Sequence, residues 1–529
     1  MKINKFLLGA FALSVGFASC SNEEPIKGEN GGGTTDASKY MSVAISNLAN
    51  GSRAEGDAPA DSEFELAETM EGSISKENLY FLFYDGSGKS FGLAYANVNA
   101  AEGDVITNMV KPAELSFSEG NGDEEGLKGV LVLGKPSGPY QGQTPAKVLC
   151  VANPRTEVMK TLENKSLSTV IGTLTTAPTS WTKAGDFLMT NAVYAKDGTV
   201  ITAIDLDATA FSDTPEGAKN NPVVISLERL TAKVRVNYAT VFPVQRRPGI
   251  NEPSQTIENP GKFNLDGKEA QFTVSINGWQ LANIPSQAEA FKKLTPENYG
   301  DWKWAWNDIK RGRSYWAESN TGTLTNTTFD IYSADQFKNK SFVSGTNDVQ
   351  YCYENTSVPD AKVTDRNPNV TAIVVKATIN YDGQPIDMYK WSGAYYTEDR
   401  IKEKVAQQYN ADDHPVAAEK GNVSFVPNNK GDNTYRAIVT INDVATPIPQ
   451  FGEVQHWVNG VTSYYMNIEH LGGLTGVVRN HIYDYVIDGI IGLGTPGNET
   501  ENPEVIESYL AAHVRILNWR TVSNTVTLE

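Results

Sequence analysis

The segment Thr231–Tyr238, TAKVRVNY, decides the fold class of this chain. Its small and apolar side chains alternate with polar ones: Ala232, Val234 and Val236 against Lys233, Arg235 and Asn237. A period of two places the two sets on opposite faces of a strand, as in antiparallel sheets. Similar short runs recur between Gly, Asn, Asp and Pro residues, at Leu79–Tyr84 and residues 130–133, 148–152, 223–227, 272–276, 372–379, 436–441 and 482–487. The sequence therefore predicts an all-β protein with minor α content.

The chain has 529 residues, enough for two β-sandwich domains with sizeable cores. We predict two sandwiches of the transthyretin-like or immunoglobulin-like type, over residues 54–240 and 241–529. The boundary is placed at residues 243–261, a stretch rich in Pro, Gly and Asn that is typical of a connection. The best helical signal lies at residues 398–408, where Ile401 and Val405 are one helical turn apart.

The first twenty residues are typical of a lipoprotein signal. Lys2 and Lys5 precede an apolar run of about twelve residues, which is too short to span a bilayer as a helix. Small residues precede Cys20, whose thiol would receive the lipid. We predict that residues 1–19 are removed and that residues 20–53 form a lipidated propeptide at the outer membrane. An ordinary secretion signal with an incidental Cys is the alternative.

Charge and residue counts exclude several classes of protein. Lys and Arg number 45 against 63 Asp and Glu, and a net charge of −18 repels phosphate backbones, so we expect no nucleic-acid partner. The five His and three Cys are scattered, and we predict neither a metal site nor a cofactor. With Cys20 lipidated, Cys150 and Cys352 remain. Buried thiols in strands are favoured over a disulfide.

Patterns that resemble catalytic motifs are weak. Residues 492–497 fit G-x-G-x-x-G, but Pro496 and the polar stretch after it cannot open the helix that would hold a pyrophosphate. A glycine-rich turn is the better interpretation. His470 and His481 are candidates for a base, yet no nucleophile motif accompanies them. We predict that the chain is not an enzyme.

Trp302, Trp304 and Trp306 place three indoles on one face of a predicted strand. Such a face suits stacking on sugar rings, although a buried sandwich face or a domain seam is the plainer interpretation. A surface-exposed glycan-binding lipoprotein is therefore the alternative function.

The N-terminal region after the signal contains a strand followed by a candidate cleavage site. Met41, Val43 and Ile45 alternate with small residues and share one face. The stretch that follows is polar and without periodicity, and Arg53 is its single basic residue. An accessible Arg in such a loop suits a trypsin-like protease. A plain linker with an incidental Arg is the alternative.

The C-terminus also has strand periodicity. Val522, Val526 and Leu528 share one face with Asn524. The phase of the alternation shifts after Ile516, which indicates two strand segments separated by a bend or bulge. The last strand could also be an ordinary strand of the chain's own sheet.

Five stretches carry a resemblance to a known family. They are SRAEGD at residues 52–57, SLERLTAKVRV at 226–236, YCYENT at 351–356, VVRNHIYDYVIDGIIGLG at 477–494 and VRILNWRTVSNTVTLE at 514–529. The most specific are the terminal strand and the core formed by Arg479, Asn480, His481 and Tyr483. On these residues the chain resembles the Bacteroidales type V fimbrial major subunits, the Mfa/FimA-type fimbrilins.

The resemblance implies a mechanism of assembly. The precursor would be exported as a lipoprotein and cut after Arg53, which makes Ala54 the new N-terminus. Loss of the first strand would open a groove, and the C-terminal strand of the next copy would fill it. In that exchange Val522, Val526 and Leu528 replace the displaced Met41, Val43 and Ile45.

The implied product is a cell-surface fimbrium that mediates adhesion. The implied partners are further copies of this chain, minor anchor and tip subunits, a trypsin-like processing protease, and the outer membrane through the lipid before cleavage. A fimbrial tip or minor subunit is a further alternative.

Overall fold

Strands dominate the chain, as the alternating sequence pattern predicts. The computed structural model describes residues 39–47, 79–95, 112–113, 126–133, 143–176, 187–196, 199–214, 217–218, 220–248, 256–294, 317–319, 329–330, 349–361, 367, 369–412, 414–428, 434–470, 474–496, 511–515 and 520–528. Each strand run predicted from the sequence overlaps a strand of the structure. The prediction of an all-β protein with minor α is confirmed.

Among the described residues, twelve strands and two short helices lie between residues 39 and 229. The strands are Lys39–Asn47 (β1), Leu79–Tyr84 (β2), Ser90–Tyr95 (β3), Pro112–Ala113 (β4), Gly126–Leu133 (β5), Lys147–Ala152 (β6), Leu174–Thr176 (β7), Met189–Asn191 (β8), Tyr194–Lys196 (β9), Thr199–Ile201 (β10), Ile204–Asp205 (β11) and Val223–Arg229 (β12). The helices are Thr156–Leu162 (α1) and Leu167–Ile171 (α2).

Twenty-two further strands are described from Thr231 onward, together with the longest of the described helices, Glu398–Ala411 (α3). The strands are Thr231–Tyr238 (β13), Val241–Gln245 (β14), Phe263–Leu265 (β15), Lys268–Ala270 (β16), Thr273–Ala282 (β17), Ile284–Pro285 (β18), Gln287–Glu289 (β19), Phe329–Asp330 (β20), Val349–Tyr353 (β21), Ala372–Tyr381 (β22), Gln384–Pro385 (β23), Met388–Trp391 (β24), Ala394–Tyr396 (β25), Val423–Pro427 (β26), Thr434–Ile441 (β27), Val444–Pro447 (β28), Glu453–Trp457 (β29), Val461–Asn467 (β30), His481–Ile491 (β31), Thr495–Pro496 (β32), Ala511–Arg515 (β33) and Arg520–Leu528 (β34). Short 3-10 turns occur at Ala208–Ala210, Lys420–Asn422, Pro449–Phe451 and Val458–Gly460.

Three large sheets organise these strands. Sheet I has nine strands in the order β3-β2-β6-β8-β12-β1-β5-β4, with β11 paired to β6. Sheet II has eleven strands in the order β21-β13-β31-β14-β17-β22-β30-β32, joined by β23, β33 and β34. Sheet III has eight strands in the order β16-β15-β25-β24-β29-β27-β26, with β28 paired to β27.

The chain passes from sheet I to sheet II at Leu230. Strand β12 ends at Arg229 in sheet I, and β13 begins at Thr231 in sheet II. The segment TAKVRVNY therefore belongs to the second sheet, and the change of sheet precedes residue 240, where the sequence placed the domain boundary. The first residues of the predicted connection are also strand, because β14 pairs with β17 and β31. The division into two sandwich domains stays a prediction.

Both faces of sheet I are covered. The alternation along β2 sends Phe81 and Phe83 into one apolar cluster and Leu82 and Tyr84 into another. The first cluster also contains Met41. The second is completed by residues of α1 and α2. Residues 38–529, which hold all three sheets, form one compact unit.

Sheets II and III share the largest core, and the predicted face of β13 points into it. Ala232, Val234 and Val236 are all fully buried there. A smaller core lies between sheet III and α3, where Ile401 and Val405 are buried as the helical spacing predicts.

Cys150 and Cys352 are also buried, and neither forms a disulfide. The prediction of two buried thiols is confirmed. Burial raises the pKa of the Cys352 thiol to about 12, which keeps it protonated and unreactive at neutral pH.

Candidate functional site

The N-terminal strand β1 lies inside sheet I and has a neighbour on each side. It runs parallel to β12, where Val43 is paired with Val223. On its other side it runs antiparallel to β5, where Met41 is paired with Leu131. In the strand order of sheet I, β1 alone connects β12 to β5 and β4. Removal of β1 would therefore divide the sheet into two parts.

Met41 anchors β1 in the core of sheet I. Its side chain is fully buried and belongs to the cluster that contains Phe81, Cys150 and Ile225. Full burial of a Met side chain contributes about 1.5–3 kcal/mol. The strand thus stabilises the sheet through two backbone ladders and at least one core side chain.

The other residues predicted to take part in processing are only partly placed. Val43 and Ile45 follow Met41 at intervals of two along β1, where Val43 is paired with Val223 and Ile45 with Ile225. Cys20, Arg53 and Ala54 lie outside the described residues, and so do Trp302, Trp304 and Trp306.

The C-terminal strand β34 pairs within its own chain. It runs parallel to β31 and antiparallel to β33, so the two strand segments predicted from the phase shift form a hairpin. The three predicted donor residues are paired along β31: Val522 with Tyr483, Val526 with Ile487 and Leu528 with Ile490. In the uncleaved chain β34 is therefore a strand of its own sheet, one of the alternatives that the sequence leaves open.

Buried charges lie where β12 of sheet I leads into β13 of sheet II. Glu228, near the end of β12, forms an ion pair with Lys292, with Nζ and Oε2 3.0 Å apart and both side chains fully buried. Arg479 immediately precedes Asn480 and β31. Its Nη2 lies 3.3 Å from Oε1 of Glu354, and the same nitrogen donates to the backbone oxygen of Glu289 at 3.0 Å.

Asn480 connects the end of β12 to the start of β31. Its Oδ1 accepts a hydrogen bond from Nη1 of Arg229 at 3.1 Å, and its backbone amide donates to the oxygen of Thr231 at 2.7 Å. Its φ of 59° lies in the left-handed region, which Asn tolerates better than most residues. We name this group the junction cluster: Glu228, Arg229, Glu289, Lys292, Glu354, Arg479 and Asn480.

The electrostatics of the junction cluster are balanced internally. Its three carboxylates match its three cations, so the formal sum is −3 + 3 = 0. Burial raises the pKa of the Glu228 carboxyl, although Lys292 and Arg479 oppose the shift. Burial also raises the pKa of Glu289, and Arg479 opposes it. Burial lowers the pKa of Arg479, but Glu354, Glu228 and Glu289 together outweigh that effect and raise it. A buried, matched set of charges penalises any arrangement that separates its members.

Most of the junction cluster was not singled out from the sequence. Arg479 and Asn480 were quoted as signature residues of a family, without a structural role. Glu228 and Glu354 lie inside quoted stretches as well, each within or next to an apolar strand run. A charged residue inside such a run is the signal that could have identified them, because buried charges occur almost only in pairs.

His470 and His481 are buried and hydrogen-bonded. Nδ1 of His481 lies 2.7 Å from the backbone oxygen of Arg479, and Nδ1 of His470 lies 2.8 Å from the hydroxyl of Tyr483. The Tyr483 hydroxyl also accepts from the amide of Val478 at 2.7 Å. These bonds fix the loop that leads into β31.

The described residues contain no group of three or more His, Cys, Asp or Glu side chains placed to hold a metal ion. Among their helices, none is long and apolar enough to cross a membrane.

Comparisons with known proteins find similarity among solved structures. No protein-family profile matches the chain. No curated protein matches it either.

Three solved structures illustrate the similarity. A protein of Parabacteroides distasonis proposed to act in cell adhesion is 13% identical, with 93% of this chain and 99% of that chain covered and a TM-score of 0.33. A fimbrial assembly protein of the same species is 13% identical, with 78% and 99% covered and a TM-score of 0.28. The tip fimbrial protein Mfa3 of Porphyromonas gingivalis is 12% identical, with 65% and 80% covered and a TM-score of 0.29.

Proposed function

We propose that this chain is a structural major subunit of a cell-surface fimbrium, which polymerises by strand exchange and mediates adhesion. The observation that carries the proposal is the position of β1. It lies between β12 and β5 with Met41 in the core, and in the sequence it precedes the candidate cleavage residue Arg53. Cleavage after Arg53 leaves β1 attached to the rest of the protein by non-covalent contacts alone.

Departure of β1 would leave a groove with two unpaired edges. The exposed backbone of β12 on one side and β5 on the other would lack hydrogen-bond partners, and the cluster around Phe81 would be uncovered. Such a groove is a template for an added strand. Three aliphatic side chains, at about 1.5–3 kcal/mol each, would supply several kcal/mol for its filling.

The C-terminal strand matches this groove in length and in the direction of its neighbours. Both β1 and β34 contain nine residues. Each runs parallel to one neighbour and antiparallel to the other. Val522 and Val526 stand third and seventh in β34, as Met41 and Ile45 do in β1; in this alignment Asn524 stands where β1 has Val43, and Leu528 where it has Asn47. A copy of β34 could therefore replace β1 with its apolar residues on the same face.

Donation from each copy to the next gives a contact that does not close on itself. Such head-to-tail contacts build filaments rather than rings. The presence of both a cleavable first strand and a C-terminal donor favours a stalk subunit, because a tip subunit needs no donor.

The proposed route places the precursor in the outer membrane through a lipid on Cys20 and the mature chain in the cell-surface fimbrium. The proposed partners are copies of this chain, minor anchor and tip subunits, and a trypsin-like protease.

The test is brief trypsin treatment of the purified precursor, followed by N-terminal sequencing and an unboiled gel. We expect a new N-terminus at Ala54 and a ladder that resists SDS. A chain that lacks residues 522–529 should be cut at the same place and remain a monomer. Normal polymer from that deletion would overturn strand donation.

The matched controls are two substitutions of the scissile residue. Arg53→Lys keeps a trypsin site and should still give the ladder, whereas Arg53→Ala should give neither the cut nor the ladder. A full ladder from Arg53→Ala would show that cleavage after residue 53 is not the step that starts assembly.

A further inference from the structure

A cationic cavity lies where the end of β14 meets the hairpins β15–β16 and β24–β25. Five basic side chains and one carboxylate contribute to its lining: Arg246, Arg247, Lys262, Lys268, Lys390 and Glu269. Its volume of about 700 Å³ is typical of small-molecule sites. Such a concentration of positive charge contrasts with the net charge of −18 for the whole chain.

Two tight hairpins fix one wall of the cationic cavity. Asp266 and Gly267 both have positive φ, at 55° and 86°, in the turn between β15 and β16. Ser392 and Gly393, at 48° and 79°, form the equivalent turn between β24 and β25. Consecutive positive φ angles are typical of the type I′ turns that match the twist of a hairpin. The hairpins are also joined, because the amide of Asp266 donates to the backbone oxygen of Tyr395 at 2.9 Å.

Arg246 is held in the lining of the cavity by Glu258. Its Nε lies 3.0 Å from Oε2 of Glu258, and its Nη2 lies 3.2 Å from Oε1 of the same carboxylate. The two backbones exchange hydrogen bonds of 3.0 and 2.9 Å. Gly261 permits this close approach, because a Cβ there would lie 2.5 Å from the amide nitrogen of Arg246.

The formal charge of the cavity is positive. The lining residues sum to +5 − 1 = +4, where Glu269 pairs with Lys262 at 3.2 Å. Glu258, which pairs with Arg246, lowers the sum to +3. An anion that enters the cavity would therefore meet a net attraction.

An aromatic surface accompanies these cations. Tyr395 is partly exposed in the lining, and Nζ of Lys390 lies 5.9 Å from the centroid of its ring. Behind it, Phe263 packs edge-on at 6.0 Å between ring centroids. A ring beside a cation can stack on the C–H face of a sugar while the cation contacts an acidic substituent.

We propose that the cationic cavity binds a short anionic saccharide that carries carboxylate or sulfate groups. Arg247, Lys268 and Lys390 contact the acidic groups, and Tyr395 stacks on a sugar ring. The ligand is a terminal or short acidic unit, since a long polyanion would also meet the acidic surface of the rest of the chain.

The test measures binding of trigalacturonate to the unprocessed full-length chain by titration calorimetry, with neutral maltotriose for comparison. We expect saturable binding of trigalacturonate, no binding of maltotriose, and at least about tenfold weaker binding in 0.5 M NaCl because salt screens the attraction. A chondroitin sulfate disaccharide distinguishes sulfate from carboxylate recognition, and binding of either acidic sugar supports the proposal. Failure to bind both, or equal binding of maltotriose, would overturn it.

The variant is the double substitution Arg247→Glu with Lys268→Glu, which should weaken binding by at least about tenfold. Its matched control, Lys165→Glu with Lys404→Glu, makes the same change in net charge away from the cavity and should leave binding within about twofold. Equal losses of binding in both double variants would mean that net charge alone attracts the sugar, and would overturn the proposal.

A tetraglutamate peptide that binds as tightly as trigalacturonate would rule out a saccharide site. Because the measurement uses the monomer, its failure leaves the assembly proposal untouched.

Discussion

The two terminal strands have similar neighbours but differ in what their loss would expose. β1 is bounded by β12, which also pairs with β8, and by β5, which also pairs with β4; among the described strands only β1 joins these two parts of sheet I. β34 is bounded by β31 and β33, and among the described strands β33 pairs with β34 alone. The hairpin β33–β34 can therefore leave as a unit and expose one edge, whereas loss of β1 exposes two edges and a core. We therefore expect sheet I to depend on β1 for its stability, whereas removal of β34 with β33 should disturb sheet II less.

The largest effect is expected when the C-terminal hairpin is removed with and without β1. A chain of residues 54–510 lacks both strands, and a chain of residues 20–510 retains β1. We expect the shorter chain to lose several kcal/mol of stability in sheet I, because two ladders and the Met41 site are left empty. The longer chain should stay a folded monomer that melts close to the full-length protein.

Hydrogen exchange at Val223–Arg229, the β12 neighbour of β1, is the measurement that separates the two chains. Protection should be high in residues 20–510 and lost in residues 54–510. Equal protection of β12 in both chains would contradict the view that β1 is required by sheet I.

A smaller effect is expected from Met41→Ala. In the precursor it should lower the free energy of unfolding by about 2–5 kcal/mol, because the side chain is fully buried among aromatic and aliphatic neighbours. In the trypsin-treated polymer the same substitution should have no effect, since residue 41 has left with β1. Urea denaturation of precursor and polymer measures both.

Leu227→Ala is the matched control for that experiment. Leu227 is fully buried in the same cluster but lies on β12, which stays in the mature chain. It should destabilise precursor and polymer alike. If Met41→Ala also weakened the polymer, β1 would have to remain bound after cleavage.

The sequence predicted the strands well and the relation between sheets less well. The alternation in TAKVRVNY reports which side chains share a face, and Ala232, Val234 and Val236 are buried accordingly. It contains no information on which sheet the strand joins, so the change of sheet at Leu230 was not predicted. That change depends on long-range pairing of β13 with β21 and β31, whose residues are far away in sequence.

In the candidate site, too, the sequence predicted which residues share a face but not how the strands pair. Periodicity identified Met41, Val43 and Ile45 as one face of a strand, and the structure places that strand between β12 and β5. Its parallel pairing with β12 could not be derived, because the side-chain pattern is the same for either direction. The junction cluster was missed for a related reason: Glu228 meets Lys292, and Glu354 meets Arg479, only when separate segments of the chain come together.

The junction cluster provides the last test of this comparison, since it joins β12, the neighbour of β1, to β31, the neighbour of β34. Asn480→Ala should lower the free energy of unfolding by about 2–4 kcal/mol, from the lost acceptor of buried Arg229 and the strain of Ala at a φ of 59°. Asn480→Gly loses the same acceptor without the strain, so it should cost about 1 kcal/mol less. Urea denaturation of the three precursors gives the differences. If the Gly variant matched the wild type, the bond to Arg229 would contribute nothing. The link between β12 and β31 would then rest on the backbone bond from residue 480 to Thr231 and on the attraction between Glu228 and Arg479.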